Sequence, residues 1–430
     1  MIDGEQYTVY LSKNNSILID IIYGINAIYT SKFIKNLINM NKTIQFTGDE
    51  KKLIGKIASI FAVRQLSISL LMPFVSIYIM SMEGSTKTLA GLAFGIFSIS
   101  QMLLQIPMGN LSDKWGRKQT ALLGLSLYCL GTLLSGFSIN IYHIIFARML
   151  TGAGAVKGVI MAWLTDGISK KKRNSALSFV GIAIGAVAIL GFSTNALIAG
   201  NIGIKYLFFI SALLIFILIV YIAFDLKNFE LKDNLKIDLK KENIIRILRN
   251  RDILRINILG FIEHFCYAST FFILPILLKK TIALHAMWKI NAPMGIIGTC
   301  FMFYFARRAD RKGTKSSLKI AIILGIIGSF AAIQFNNLYS FAAAFIIIYS
   351  AHCILQAILP AIVSRYPNIQ VKGTAMGIYI TFEAIGASCG GLAGGWLQDH
   401  YKYCFWMLIL LFIFAFILIS GFKDFKTETQ

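Results

Sequence analysis

Six charged or titratable side chains interrupt long apolar stretches of this 430-residue sequence, and they have the clearest potential for chemistry. These are Arg64, Arg148, Lys157, Glu263, His264 and Glu383. At the centre of a bilayer each charge costs roughly 2.5–3.5 kcal/mol on insertion scales, so it rarely persists without a partner or a role. A carboxylate or an imidazole placed there can bind a proton on one side of a membrane and release it on the other. The residue types therefore indicate reversible proton binding.

Glu383, Glu263 and His264 are the candidates for proton exchange, in that order. Glu263 ranks second because His264 is its neighbour and Arg64 can face it across a cavity, and either cation can keep the carboxylate ionised. His264 is the third candidate because the ordinary pKa of an imidazole already lies near neutrality. The alternative is that both glutamates only form ion pairs with Arg64 or Arg148, as charges inside membranes commonly do.

The three cations carry separate expectations. Arg64 lies nine residues into its apolar run, where it either lines a substrate path or acts as a structural cation. Arg148 lies about seven residues from the end of its run, close enough to reach the membrane interface. Lys157 follows nine residues later, which at about 100° per residue puts it on the opposite face of one continuous helix. We therefore expect Lys157 to extend to the membrane surface rather than share a pocket with Arg148.

The composition identifies an integral membrane protein. Hydrophobic residues make up 57% of the chain and charged residues 14%, and the mean hydropathy is +0.69, which leaves too much apolar surface for a water-soluble fold. Twelve apolar runs approach the ~20 residues with which a helix crosses a bilayer. They cover roughly residues 55–80, 87–109, 119–138, 141–164, 176–200, 205–225, 253–278, 284–306, 318–336, 339–364, 374–397 and 401–422. The prediction is an all-α fold with twelve transmembrane helices.

The net charge of +22 comes from cations in short loops between apolar runs, so anionic membrane lipid is the expected partner and nucleic acid is not. With the amino terminus inside, 33 of the 42 Lys and Arg residues fall on cytoplasmic segments, 6 on external ones and 3 within helices. The positive-inside rule then places both termini in the cytoplasm. All six cysteines lie in or beside apolar runs, so we expect no disulfide framework and no metal site.

The two halves of the chain resemble each other. The first echo pairs Asp113, Gly116 and Lys118 with Asp310, Gly313 and Lys315. Its offset of 197 residues nearly equals the offset of 199 between Arg173-Asn-Ser-Ala and Lys372-Gly-Thr-Ala. The predicted divisions are a poorly packed cytoplasmic leader at 1–50, six-helix halves at 51–225 and 252–424, a cytoplasmic linker at 226–251 and a tail at 425–430.

The polar segment between the second and third runs carries the most specific motif. Its residues are Gly109, Asp113, Gly116, Arg117 and Lys118, in the order G-x-L-x-D-x-x-G-R-K. The order resembles the loop between helices 2 and 3 of the major facilitator superfamily. That resemblance implies two parallel six-helix halves with a substrate site between them, and a switch loop here. We expect Asp113 to lie beside Arg117 and near Gly373, at the start of the eleventh helix. There it should stabilise one of the two arrangements, inward-facing or outward-facing, that the halves adopt.

Further motifs narrow the resemblance to the YajR-type branch of proton-driven drug antiporters, over about residues 46–424. They are Gln101-x-x-x-Gln105-Ile-Pro107, Arg148-x-x-x-Gly152-x-Gly154-Ala155, Met161-Ala162 with Asp166, and Lys372-Gly-Thr-Ala-Met-Gly-Ile-Tyr379. The resemblance implies that Arg148 handles substrate or protons and makes Gln101 and Gln105 cavity candidates. His264 fits the branch, whereas Glu263 and Glu383 stand where it usually has uncharged residues. Gly191-Phe192 replaces its Gly-Pro pair, and no soluble carboxy-terminal domain is expected.

Glycines spaced four residues apart predict close helix packing. They are Gly91 and Gly95, Gly181 and Gly185, and Gly386, Gly390 and Gly394. Small residues at this spacing let membrane helices touch backbone to backbone. In the superfamily such faces slide past one another between the halves, so we expect packing that permits motion.

The function that follows is a proton-coupled antiporter of the inner membrane that exports a small organic compound by alternating access. We expect a monomer driven by the proton gradient, with no cofactor. The sequence has no catalytic or nucleotide-binding motif, so an enzyme is not expected. The alternatives are an uptake or exchange carrier for an organic anion, given Arg64 and Arg148, and more remotely a scaffold or receptor that transports nothing.

Overall fold

A computed structural model describes residues 46–154, 156–169, 172–225, 247–364 and 369–421, which are helical apart from short connections and one isolated bridge between Glu83 and Asn140. In chain order the helices are α1 (Gly48–Met80), α2 (Lys87–Trp115), α3 (Arg117–Phe137), α4a (Ile141–Ala153), α4b (Lys157–Gly167), α5 (Arg173–Asn201), α6 (Ile204–Asp225), α7 (Arg251–Thr281), α8 (Trp288–Lys312), α9 (Thr314–Gln334), α10 (Leu338–Ser364), α11 (Ile369–Trp396) and α12 (Tyr401–Ser420). The predicted all-α membrane class is confirmed.

Eleven spans among the described residues are long and apolar enough to cross a membrane, with α4a and α4b forming one of them. The eighth of the predicted runs, 284–306, is not among these eleven; it begins as the 3₁₀ turn Leu284–Met287 and continues as α8. The 25 residues of α8 are long enough to cross a bilayer, but they include Lys289 and Asn291 near one end and Arg307, Arg308 and Asp310 near the other. These polar residues make the mean hydropathy of α8 lower than that of the other spans.

The fourth span is broken, which corrects the expectation of one continuous helix over 141–164. Helix α4a ends at Ala153 and α4b begins at Lys157. A Cβ atom on Gly154 would lie 2.6 Å from the carbonyl oxygen of Gly124 and 2.6 Å from Cβ of Tyr128, so only glycine lets α3 approach the break this closely. Rotation at 100° per residue does not continue through the break. Lys157 is exposed.

The turns α2–α3 and α8–α9 have the same construction, 197 residues apart. Each turns at one left-handed glycine, Gly116 (φ 97°) or Gly313 (φ 93°). Just after it, Nζ of Lys118 donates a hydrogen bond to the carbonyl of Ala223 at the end of α6, at 2.8 Å. Nζ of Lys315 donates in the same way to the carbonyl of Ser420 at the end of α12, at 2.8 Å. The sequence echo thus corresponds to one repeated local structure.

The amino-terminal boundary differs from its prediction. Helix α1 begins at Gly48, seven residues before the predicted run. Thr47 caps it, because the Thr47 hydroxyl accepts from the Glu50 amide at 3.2 Å and the Glu50 carboxylate accepts from the Thr47 amide at 2.9 Å. Glu50 also pairs with Lys172 at 2.8 Å, which ties the start of α1 to the start of α5. Residues 46–50 therefore pack with the bundle; the leader up to residue 45, the linker over 226–246 and the tail lie outside the described residues.

Candidate functional site

Four titratable side chains meet inside the carboxy-terminal half. Helix α7 contributes Glu263 and His264, α10 contributes His352 and α11 contributes Glu383. The Nδ1 atoms of His264 and His352 each contact a different carboxylate oxygen of Glu263. Nδ1 of His264 also lies 3.8 Å from a carboxylate oxygen of Glu383. We call these four residues the acid–histidine cluster.

The cluster is graded in exposure. The Glu263 side chain is 1% exposed, whereas His264 and Glu383 are 16% and 15% exposed. The ring of Tyr267 stacks on His352 with centroids 4.0 Å apart and fixes its orientation. Glu383 and His264 therefore form the accessible side of the cluster, and Glu263 forms its buried side.

Glycines of α11 bring Glu383 to α7. A Cβ atom on Gly386 would lie 2.2 Å from the carbonyl oxygen of Phe261, and one on Gly390 would lie 2.3 Å from that of Phe265. The two backbones are thus in direct contact on both sides of the cluster. This corrects one expectation, because Gly386, Gly390 and Gly394 pack α11 against α7 within one half rather than between the halves.

A carboxylate oxygen of Glu263, a carboxylate oxygen of Glu383 and a ring nitrogen of His264 all lie within 4.8 Å of one another. Two carboxylates and a neutral imidazole hold two negative charges, which a membrane interior tolerates only with compensation. Shared protons supply that compensation, and a divalent cation is the other species that this spacing admits. The arrangement is therefore one for binding small cations, protons first.

A second polar group, in the amino-terminal half, is cationic. The guanidinium of Arg64 lies 5.9 Å from the ring centroid of Tyr128, and that of Arg148 lies 4.8 Å from the ring centroid of Phe97. Tyr128 also packs against the end of α4a, the helix that carries Arg148, because a Cβ atom on Gly154 would lie 2.6 Å from Cβ of Tyr128. The Tyr128 hydroxyl lies 3.1 Å from the hydroxyl of Ser67. Arg148 is 6% exposed, so it does not reach the interface. We call Arg64, Arg148 and Tyr128 the arginine pair with its tyrosine.

The two groups do not neutralise each other in this conformation. Among the described residues, no ion pair joins Arg64 or Arg148 to Glu263 or Glu383. The alternative that the glutamates simply pair with these arginines is therefore wrong for this conformation. The carboxylates of the acid–histidine cluster have histidines as their partners instead, whereas Arg64 and Arg148 lie against aromatic rings.

The other helix 2 and helix 4 candidates shape this region by packing. A Cβ atom on Gly152 would lie 2.2 Å from the carbonyl oxygen of Phe97, so α4a touches the backbone of α2 next to Arg148. The Gln105 amide nitrogen lies 2.8 Å from the corresponding Cβ position of Gly158 in α4b. Gln101 and Gln105 are both partly exposed. A role of either glutamine in substrate binding stays a prediction.

The switch loop forms a three-helix ion network. The Arg117 guanidinium donates to Asp113 at 2.7 Å, to Ser112 at 2.8 Å and to Asp166 at the end of α4b at 2.8 Å. Arg117 thus lies beside Asp113 as expected and joins α2 and α3 to α4b within one half. The side chains of residues 369–373 lie outside the described part, so the predicted approach of Asp113 to Gly373 stays a prediction.

Replacing Asp113 by Asn should shift the equilibrium between the two closures of the halves by ~1–2 kcal/mol, or roughly 5–30-fold in population, and slow turnover. The reason is that Arg117 loses one of its two carboxylates, which loosens the α2–α3 turn. The measurement is labelling of single cysteines placed at the two ends of the bundle. Asp252→Asn is the control, because Asp252 pairs with Arg255 at 3.1 Å within one helix. Unchanged labelling at both ends in Asp113→Asn contradicts the switch role.

The halves meet tightly at the end of the bundle that carries Asp399, opposite the end that carries Asp113. A Cβ atom on Gly91 would lie 2.7 Å from the carbonyl oxygen of Gly391, and one on Gly95 would lie 2.8 Å from that of Ser388. At mid-height, a Cβ on Gly185 would lie 3.0 Å from a methyl group of Thr299. The predicted close packing between the halves is therefore present at Gly91, Gly95 and Gly185, and their sliding stays a prediction. The additional glycines nearer the Asp113 end, Gly181 and Gly377, have open space around them.

Polar contacts reinforce this closure. The Asn291 amide of α8 donates to the Asn195 side chain of α5 at 3.0 Å, and both residues are fully buried. Lys87 donates a hydrogen bond to Asp399 and thereby lowers the pKa of that carboxyl below its ordinary value of 3.8. A carboxyl with a lowered pKa keeps its ion pair above that pKa and loses it as pH falls through it. The contact between Lys87 and Asp399 is therefore complete at neutral pH.

Sequence reasoning did not single out His352, Tyr128 and the pair Asn195–Asn291. The signal that could have found His352 was present, since it is a titratable residue inside the apolar run 339–364, as Glu263 is inside its own run. Tyr128 and the asparagines carry no charge, and polar neutral residues are common in membrane helices. Their roles come only from contacts between helices.

Comparison with known proteins agrees with this geometry. The sequence profile of the Major Facilitator Superfamily matches residues 57–382 and 301–428. The chain belongs to the major facilitator superfamily. The inner membrane transport protein YajR of Escherichia coli (strain K12) is 27% identical over 368 residues, covering 83% of this chain and 80% of that protein. Multidrug resistance protein 2 of Bacillus subtilis (strain 168) is 27% identical over 392 residues, covering 86% of this chain and 93% of that protein.

The fold is also that of solved superfamily members. The crystal structure of a D-xylose–proton symporter superposes with a TM-score of 0.70 at 14% identity, covering 86% of this chain and 97% of that one. At this identity the likeness concerns the fold alone. The chain is therefore a multi-pass membrane transporter that resembles the YajR branch of its superfamily.

Proposed function

We propose that this facilitator is a proton-coupled antiporter that exports a small organic compound across the inner membrane by alternating access. The observation that carries the proposal is the acid–histidine cluster, whose carboxylates and imidazoles lie inside one half without an arginine partner. Glu263 lies 12 residues into α7 and Glu383 lies 14 residues into α11, each roughly 20 Å from the Asp113 end. Both carboxylates are thus near the middle of the membrane, where a coupling group must face each side in turn.

Three further observations support this direction and topology. The relatives include one named for multidrug resistance and one named as an inner membrane transport protein. The positive-inside distribution of Lys and Arg puts the Asp113 end in the cytoplasm. With that orientation, closure at the Asp399 end makes the described conformation inward-facing, so that Glu383 and His264 release protons toward the cytoplasm. Both termini are then cytoplasmic, and substrate, protons and anionic lipid are the partners of a monomer.

The proposal is tested by proton movement in proteoliposomes that contain the purified protein and the pH dye pyranine. With an acidic lumen, a transported compound added outside should enter as protons leave, and the lumen should become more alkaline than in protein-free vesicles. The test compounds are a set of lipophilic cations, neutral compounds and organic anions. Proton movement in the same direction as the compound would indicate symport. Absence of proton movement and of compound uptake for the whole set contradicts a transport function.

A further inference from the structure

The arginine pair with its tyrosine has no carboxylate counter-ion among the residues that the structure describes. Arg64 and Arg148 are each 6% exposed, and the Nε atom of each is buried without a hydrogen-bond acceptor. Among the described residues, neither guanidinium forms an ion pair with a carboxylate. Two positive charges therefore lie in the same half, and none of the carboxylates described there pairs with either of them.

Aromatic rings offset only part of this cost. Arg148 lies over Phe97 and Arg64 lies near Tyr128, and such contacts contribute about 0.5–2 kcal/mol each. A charge in a membrane interior costs roughly 2.5–3.5 kcal/mol on insertion scales, and a second like charge nearby adds repulsion. The remaining deficit is one that a bound anion removes.

The donors also suit an anion in their chemistry. A guanidinium presents several N–H groups in a planar fork that matches the two oxygens of a carboxylate or the oxygens of a phosphate. Tyr128 lies near Arg64 and packs beside Gly154 at the end of the helix that carries Arg148, and its hydroxyl, 3.1 Å from that of Ser67, adds a hydroxyl donor to this region. Lys157 is a further cation in this half, but it is exposed and belongs to α4b beyond the helix break.

We infer that the arginine pair with its tyrosine binds the anionic group of the transported compound, a carboxylate or a phosphate. The identification of this group as part of the transported compound rests on the proposed transport function, whereas the binding of an anion does not. The acid–histidine cluster lies in the opposite half, so the anion and the coupling protons occupy separate sites. An inside-negative membrane potential then favours export of the anion as well as entry of the proton.

Binding is tested on the purified full-length protein in detergent, without any gradient. The probes are benzoate and phenyl phosphate, with benzamide as the uncharged analogue of benzoate and chloride as the ionic-strength control. A ligand that binds the folded state raises the unfolding temperature with concentration. We expect benzoate or phenyl phosphate to raise it and benzamide and chloride to leave it unchanged. Equal effects of benzoate and benzamide, or no effect of either anion on the wild type, overturn the inference.

The variants Arg64→Gln and Arg148→Gln should each weaken anion binding at least tenfold, because each removes a charge-assisted partner. Lys157→Gln is the matched control and should bind the anions as the wild type does. Arg64→Lys and Arg148→Lys should keep part of the affinity, because they keep the charge but lose the fork, and they preserve the test if a glutamine variant does not fold. Full anion affinity in both glutamine variants contradicts the inference.

Stability without ligand separates a binding role from a purely structural one. An uncompensated cation destabilises the empty protein, so Arg64→Gln should unfold at the same or a higher temperature than the wild type. A lower unfolding temperature for this variant, together with unchanged anion affinity, assigns Arg64 a structural role and overturns the inference. Anion binding that is intact while proteoliposomes show no proton exchange contradicts the proposed antiport and leaves the binding site standing.

Discussion

The variant Glu383→Gln should abolish substrate-driven proton movement while leaving the protein folded and able to bind its compound. Glutamine resembles the protonated carboxyl group but cannot release a proton. The inward-facing conformation of the variant therefore delivers no proton from this residue to the cytoplasm. Glu383 is the accessible carboxylate of the acid–histidine cluster, 3.8 Å from Nδ1 of His264. The measurement is pyranine fluorescence in proteoliposomes, where the signal should fall at least tenfold. Exchange of labelled for unlabelled compound without a gradient should persist.

Two comparisons make the result specific. Glu83→Gln removes an exposed carboxylate from the α1–α2 connection and should behave as the wild type. Glu263→Gln should also impair coupling, but it should in addition reduce stability, because it leaves His264 and His352 without the carboxylate that both contact. Wild-type proton movement in Glu383→Gln rules out Glu383 as the coupling residue and transfers the test to Glu263 and His264.

The variant Gly91→Ala should shift the protein away from closure at the Asp399 end. The added Cβ would lie 2.7 Å from the carbonyl oxygen of Gly391, and a backbone atom cannot move aside without separating the halves. Overpacking of this kind typically costs about 1–3 kcal/mol, which corresponds to roughly a 5–150-fold change in population. The readout is labelling of Ser76→Cys from the Asp399 side, on a background without the six native cysteines, because Ser76 is buried where α1 meets α7. Labelling should rise in Gly91→Ala.

Alanine variants of two other glycines distinguish an effect on closure from an effect on folding. Gly181→Ala places its Cβ in open space and should leave labelling unchanged. Gly390→Ala places its Cβ 2.3 Å from the carbonyl oxygen of Phe265 inside one half, so it should lower stability without favouring either closure. If Gly91→Ala lowers stability as Gly390→Ala does and leaves the labelling of Ser76→Cys unchanged, the contact at Gly91 is structural and does not control closure.

The hydrophobic pattern of the sequence was sufficient for the fold class, because each membrane helix satisfies its backbone hydrogen bonds internally and needs only its own ~20 apolar residues. It also predicted a helix at α8, whose count as a twelfth membrane span stays a prediction, but it missed the break in the fourth span. That break depends on the contact of Gly154 with α3, which no local pattern encodes.

The sequence by itself determined the membrane class, the doubled architecture and the ion pair of Asp113 with Arg117. The first rests on composition, the second on motifs repeated 197 residues apart, and the third on residues four positions apart. Only the tertiary structure decided that His352 completes the acid–histidine cluster, that Arg64 lies near Tyr128 and that Arg148 lies over Phe97. The tertiary structure also decided what the glycines contact. Gly386 and Gly91 both belong to series spaced four residues apart, but Gly386 contacts a helix of its own half and Gly91 contacts a helix of the other half. A side chain in a membrane helix has its direction set by the helix, whereas its partner is set by which helix packs opposite, and that choice is made by long-range contacts.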